Sequence, residues 1–345
     1  MGTSWSMIST CAANAQSERD DIAAALDEAS LVPTDSTFVA FGSMARGEVT
    51  SGSDLDWTLL VDGQVDPQHV RIVQGIDDCL VELEKKKPGS SGLFGGLAFS
   101  HELIHEIGGE LDKNSNTTRR ILLMLESCAL GNDTGVRDRV IRHLFTRYVG
   151  EDSGYHSAHN YEVKVPRFLL NDIVRYWRTI TVDYAKKRRD RRGTEWALRN
   201  FKLRLSRKLI FASGLAMCLS CQLHPSNELA VGSFANEQHF NQALVEFLVE
   251  FSNQTPLSVL AKLCLEYDAQ DAGGLIFGSY DRFLAILDDK SKRDELNEMT
   301  VNDARSNALF DEARDIARDF QKGLGMLFFG TDDKLTACTQ RYGVF

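Results

Sequence analysis

The chain of 345 residues contains no run of about eighteen consecutive apolar residues, so no segment reads as a membrane-spanning helix. It does not open on a secretory signal either. Met1-Gly2-Thr3-Ser4-Trp5-Ser6 has neither a basic region nor a continuous apolar core, and its match to the loose N-myristoylation pattern is expected to be fortuitous. The seven cysteines are odd in number and scattered, which argues against a disulfide framework and for free thiols in a reducing cytoplasm. Cys218-Leu219-Ser220-Cys221 lies in a long apolar stretch with no second pair nearby and reads as core packing. Positive charge is also in short supply. A net charge of −10 has the wrong sign for a general nucleic-acid binder. Internal repeats and low-complexity tracts are absent. What remains is ordinary globular composition, 43% apolar and 26% charged, long enough for two domains with their own cores.

The charge is unevenly spread. Between Lys164 and Lys208 there are fifteen basic and four acidic residues, a local +11 that leaves −21 for the rest of the chain. A basic segment in an acidic protein suggests a local site for an anion: a triphosphate, a nucleic acid or an acidic partner.

The most informative stretch is Phe41-Gly42-Ser43-Met44-Ala45-Arg46-Gly47-Glu48-Val49-Thr50-Ser51-Gly52-Ser53-Asp54-Leu55-Asp56-Trp57. A Gly-Ser pair ends one apolar run, and two aspartates open the next. Alternate residues of a strand share a face, so Asp54 and Asp56 project together while Leu55 turns to the core. Two carboxylates on one face repel unless a cation lies between them, and Mg²⁺ is the natural one where substrate phosphates complete its shell. Gly42 and Ser43 offer backbone N–H groups, a hydroxyl and close approach to such phosphates.

This wording, Gly-Ser-x-x-Arg-Gly-Glu-x-Thr-x-x-Ser-Asp-x-Asp, resembles the active-site signature of the DNA polymerase β-type nucleotidyltransferase superfamily. It is most similar to the glutamine synthetase adenylyltransferase and PII uridylyltransferase branch. The resemblance covers about residues 37–62. It implies that Gly42 and Ser43 hold a triphosphate, that Asp54 and Asp56 bind Mg²⁺ (or Mn²⁺), and that Arg46 and Glu48 shape the loop. It also implies an α+β fold, with a mixed sheet and helices over residues 1–150 and an all-α domain over 151–345. The implied reaction moves a nucleoside monophosphate, AMP from ATP first among them, to an acceptor. That acceptor is a protein side chain, a nucleotide or nucleic-acid 3′-hydroxyl as in bacterial defence enzymes, or a small molecule. No membrane partner is implied, and self-association into a homo-oligomer stays open. The superfamily usually adds a third carboxylate on a later strand. Residues 87–99 contain no acid, and Glu82, Glu84, Glu102 and Asp112 all remain candidates. A degenerate, nucleotide-binding regulatory protein is therefore the alternative.

Around the motif the pattern predicts a helix over Ser17–Ser30, strands over Thr37–Phe41 and Asp54–Val61, and a helix from Asp66 to about Lys86. Further helices are expected over Thr117–Leu130, Phe168–Tyr184, Trp196–Cys221 and Asp303–Phe320, with starts at Asn236 and at Thr255-Pro256. The domain boundary is expected near Gly150–His159, and Lys186–Gly193 is expected to interrupt the helical run. On the helix from Trp196, Arg199 and Lys202 can share a face. Lys202 is the candidate to reach the β- and γ-phosphates. A rival from another enzyme class is His101-Glu102-Leu103-Ile104-His105, which spells the zinc-hydrolase motif with Glu126 as a conceivable third ligand. Ile107-Gly108-Gly109 ends its helix almost at once, and a chance match is expected.

Overall fold

The apolar runs flanking the Gly-Ser motif pair with each other. In a computed structural model that describes residues 5–89, 92–132, 134–152, 165–190, 195–223 and 237–343, β1 (Ser36–Phe41) lies antiparallel to β2 (Trp57–Val61), from Ser36 opposite Val61 to Ala40 opposite Trp57. Every residue of both strands is buried, which is why they read as unbroken apolar runs rather than alternating ones. Phe38 stacks on Trp57 at 5.2 Å between ring centroids. Burying side chains of this size contributes about 1.5–3 kcal/mol each.

Two more strands complete a mixed sheet of order β3-β2-β1-β4. β3 (Gly96–Phe99) runs parallel to β2, and β4 (Ser127–Leu130) runs antiparallel to β1. β4 corrects an expectation. Thr117–Leu130 is not one helix: α5 (Asn114–Leu125) stops at Glu126, and the next four residues join the sheet edge. A leucine-rich run suits either state, and pairing with β1 decides it. Helices α1 (Ser6–Glu28), α2 (Gly42–Arg46), α3 (Gln68–Glu82), α4 (Ser100–His105) and α6 (Val136–Glu151) accompany the sheet. The first of these begins well before Ser17, because Cys11 and Ala15 continue the buried stripe of Ile22 and Leu26.

The remainder is helical: α7 (Arg167–Asp190), α8 (Trp196–Lys202), α9 (Lys208–Leu223), α10 (Glu237–Ser252), α11 (Pro256–Glu266), α12 (Gln270–Asp288), α13 (Lys290–Glu298), α14 (Ala308–Gly330) and α15 (Asp333–Tyr342). The fold is therefore α+β at the N-terminal end and all-α after it. Thr255 caps α11 as its sequence requires, its hydroxyl accepting from the Ser258 N–H at 3.2 Å. Three readings need correction. α7 runs through Lys186–Asp190 instead of stopping before it. Asp303 starts only a short 3₁₀ turn, and α14 begins at its Asn307 cap, where the side chain accepts from the Phe310 N–H. The Trp196–Cys221 segment is helical throughout but contains a π turn, Leu203–Arg207, between α8 and α9. The Asn236 helix start, most of the expected boundary near residue 155 and residues 191–193 lie outside the described residues. One apolar cluster extends from Val39 on β1 to Tyr342 on α15, so the sheet and the later helices share a core.

Candidate active site

The sheet topology brings the motif together at one end. β1 runs up to Gly42, and β2 departs from Asp56, with the Phe41 N–H donating to the Asp56 carbonyl at 2.8 Å. Gly42 holds φ at 64°, in the left-handed region, and a Cβ there would stand 3.3 Å from Asp56 Oδ2. Only glycine satisfies both the backbone conformation and the close approach. Leu55 is buried, so its neighbours Asp54 and Asp56 turn out of the core into a narrow crevice. Gly42, Ser43 and Arg46 line that crevice as well.

The two aspartates fit a divalent cation. Burial, and next the charge of Asp54, push the Asp56 carboxyl up to about 7. A carboxylate that resists ionisation beside a second one is the situation that a bound cation relieves. Among the described residues no group of three or more His, Cys, Asp or Glu converges to hold a metal, so oxygens from substrate would complete the shell. β3, the strand beside β2, begins at Gly96 and brings no acid to Asp56. None of the four candidate third acids lines the crevice. Asp112 is instead taken up by Arg120, at 2.6 and 2.8 Å, and by Arg175 at 2.9 Å. Glu82, Glu84 and Glu102 are exposed.

Beneath the crevice lies a buried ionic chain that sequence reading did not foresee. Arg46 donates to Glu48 at 2.7 Å and also to Glu126, which sits at the entrance to β4. The Tyr280 hydroxyl on α12 donates to Glu48 Oε1 at 2.9 Å. Arg207, in the π turn, stands 3.5 Å from Glu126 Oε1. The guanidinium of Arg46 is thus fixed between two carboxylates and forms the floor of the site.

Cations from the helical part face the acids. Lys202 and Arg207 both line the crevice. Five residues apart on an α-helix, they would point about 140° away from each other. The wider π turn between them brings both to one side. Ser206 stabilises the turn, its hydroxyl donating to the Lys202 carbonyl at 3.0 Å. Burial lowers the Lys202 ammonium pKa, with Asp54 acting the other way. Arg293 of α13 is a further cation with no signal in the motif. Its guanidinium reaches the Leu287 carbonyl at 2.8 Å and lies over the loop that delivers Asp54. A side chain on Gly52 would run into it. The same loop is held by Asp288, which accepts from the Ser51 N–H at 2.9 Å.

Residues 21–94 match the family model of the nucleotidyltransferase domain. The match spans β1, the Gly-Ser turn, both aspartates and α3, and it supports a general nucleotidyl transfer function. No curated protein sequence matches the chain. His101 and His105, in contrast, are exposed on the six-residue α4 with ring centroids 4.8 Å apart. Glu126 belongs to the Arg46 chain described above.

Proposed function

We propose that the chain takes a nucleoside triphosphate, ATP first, transfers its nucleoside monophosphate to an acceptor and releases pyrophosphate. The observation that carries this reading is the facing arrangement of Asp54 and Asp56 with Lys202, Arg207 and Arg293 around the Gly42-Ser43 turn. Asp54 and Asp56 would hold Mg²⁺ (or Mn²⁺), which would supply positive charge against the transferring phosphoryl group. Gly42 and Ser43 cradle the triphosphate, and Arg46 supports that turn from below through its pair of carboxylates. Lys202 and Arg293 meet the β- and γ-phosphates, where negative charge accumulates as pyrophosphate leaves. Residues 1–150 form the catalytic domain in this reading and 151–345 the helical domain that closes over it. The wording of the motif supports the adenylyl- and uridylyltransferase branch, and the cysteine pattern supports a cytoplasmic setting.

The test is incubation of the purified chain with each labelled triphosphate and Mg²⁺, resolving products by size and measuring pyrophosphate. Asp54→Asn and Asp56→Asn should each lower transfer by about two orders of magnitude or more. Undiminished turnover in either folded variant would refute the assignment. Triphosphate binding without any turnover would make the chain a regulatory nucleotide binder.

A further inference from the structure

Arg207 lines the crevice but takes no part in the clamp formed by Lys202 and Arg293. Two spaces meet at its side chain. The crevice encloses only about 60 Å³, room for phosphate oxygens and little else. Beside it lies a second cavity of about 450 Å³, within the range of about 300 to 1,000 Å³ typical of small-molecule sites. Arg207 and Lys202 line both. The phosphorus that is transferred is bonded to the nucleoside on one side and to the departing pyrophosphate on another, and the acceptor attacks it. Whether nucleoside or acceptor fills the cavity, that phosphorus lies where the cavity opens into the crevice.

The two cations at this opening have different surroundings. After burial, Asp54 is the charge that acts most on Lys202, and Arg293 acts on it as well. Lys202 therefore belongs to the flank of Asp54 and Arg293, with the β- and γ-phosphates. Arg207 belongs to the flank of Asp56. Burial and Asp54 push the Asp56 carboxyl up, and Arg207 is the cation that opposes them most.

Buried groups hold the Arg207 guanidinium in place. Its Nη1 stands 3.5 Å from Glu126 Oε1, on a carboxylate whose other oxygen accepts from Arg46. Glu126 Oε1 is buried and accepts no hydrogen bond, so the attraction between the two is electrostatic. The buried Tyr176 hydroxyl of α7 also lies beside the guanidinium. A guanidinium carries five N–H donors, more than these two neighbours use. The side chain remains 38% accessible, so a ligand can reach it. A cation fixed in advance suits charge that grows during reaction, because nothing has to reorganise when the charge appears. The aspartates and their cation would face one non-bridging oxygen of the transferring phosphoryl group. Arg207, on the facing side, is left with the other.

We propose that Arg207 is a catalytic residue of the transfer, donating to a non-bridging oxygen of the α-phosphoryl group, a proposal that rests on the transfer reading given above. The nucleophilic atom of the acceptor forms a bond to the α-phosphorus. The bond from that phosphorus to the α–β bridging oxygen breaks, pyrophosphate leaves with the electron pair, and the acceptor's proton passes to water. Arg207 stays protonated throughout and offsets charge on the phosphoryl oxygen while the bonds exchange.

The experiment is phosphorus NMR of the full chain saturated with Mg²⁺ and an ATP analogue whose α–β bridging oxygen is a methylene group, with its affinity measured by calorimetry. Arg207→Gln should shift the α-phosphorus resonance and leave that of the γ-phosphorus in place, whereas Lys202→Ala should do the reverse. Arg207→Gln should keep analogue affinity within about fivefold while pyrophosphate release from ATP falls by about two orders of magnitude or more. Arg207→Lys keeps the charge without the planar fork, so it is the milder change to the fold. It should show an α shift too and an intermediate rate. An α resonance unmoved in both variants, or undiminished turnover in Arg207→Gln, would overturn the assignment. A γ shift with a loss of affinity matching that of Lys202→Ala would also overturn it, and would make Arg207 a second clamp on the leaving group. If the wild type does not bind the analogue, the transfer reading itself fails and takes the proposal with it. If the wild type binds and transfers and only the Arg207 results fail, the proposal alone is wrong.

Discussion

Replacing Asp56 by Asn removes a charge that the metal-free fold tolerates poorly. The Asp56 carboxyl lies near 7 rather than its ordinary 3.8, through burial first and the proximity of Asp54 second. Its folded value is above its unfolded one, so the native state holds the proton more tightly. Wild-type stability contributed by this group is therefore full below about 3.8, declines as the pH rises towards about 7, and is level above that. At about 1.4 kcal/mol per pH unit, the cost of ionisation at high pH is capped at about 4 kcal/mol. Asp56 keeps partial contact with water, and with that discount about 2 kcal/mol is the expected size. Asp56→Asn has no such charge, so it should match the wild type near the acid end and exceed it by about 2 kcal/mol at about pH 8. The assay is urea denaturation with a chelator present, across that range. Adding Mg²⁺ at the alkaline end should stabilise the wild type and leave the variant unmoved, because ligand bound only by the native state shifts the equilibrium. A gap that does not change with pH, or a variant less stable than the wild type at about pH 8, would refute the reasoning.

Lys202→Ala should weaken every triphosphate by about tenfold or more, the size of a charge-assisted hydrogen bond, with no base preference. Equal ATP affinity in titrations of wild type and variant would remove the clamp. Gly42→Ala forces a side chain into the left-handed region at a cost of about 1–2 kcal/mol and pushes a methyl group towards Asp56 Oδ2. Transfer should fall much further than the urea midpoint does, and intact turnover would refute the close approach. The exposed His101–His105 pair should retain no stoichiometric zinc through dialysis, and His105→Ala should leave the metal content unchanged. One tightly held zinc per chain by elemental analysis would reverse that expectation.

The parts of the site set by local chemistry were legible in the sequence. Gly42 gives close backbone approach, and Leu55 needs the core, which turns Asp54 and Asp56 outwards, although the strand expected from Asp54 begins only at Trp57. Thr255-Pro256 likewise announces its own helix. What stayed hidden depends on partners far along the chain. Glu126 gains its meaning only when β4 pairs with β1, and a leucine-rich run gives no sign that it will end as an edge strand. Arg293 is one arginine in a charged helix until Gly52, far earlier in the chain, leaves it room. The motif Arg46-Gly47-Glu48 marks a loop, yet the tie from Glu48 to Tyr280 spans 232 residues. Spacing rules that assume an α-helix paired Lys202 with Arg199. Those two do line one cavity, and the π turn adds Arg207 to them, a widening that no local pattern signals.

That turn has a consequence for how the chain tolerates insertions and deletions. A π turn is an α-helix carrying one surplus residue, so its register is out of phase on its two sides. Deleting a single residue within Leu203–Arg207 would let α8 and α9 merge into one regular α-helix. Lys202 and Arg207 would then stand four residues apart, about 40° around the helix axis, and would still share a side. Trp196, Leu198 and Phe201 would keep facing the core they fill. Adding one more residue is the damaging change, because it would turn α8 by about 100° relative to α9 and carry Lys202 out of the crevice. This stretch of chain should therefore accept a single deletion far better than a single insertion.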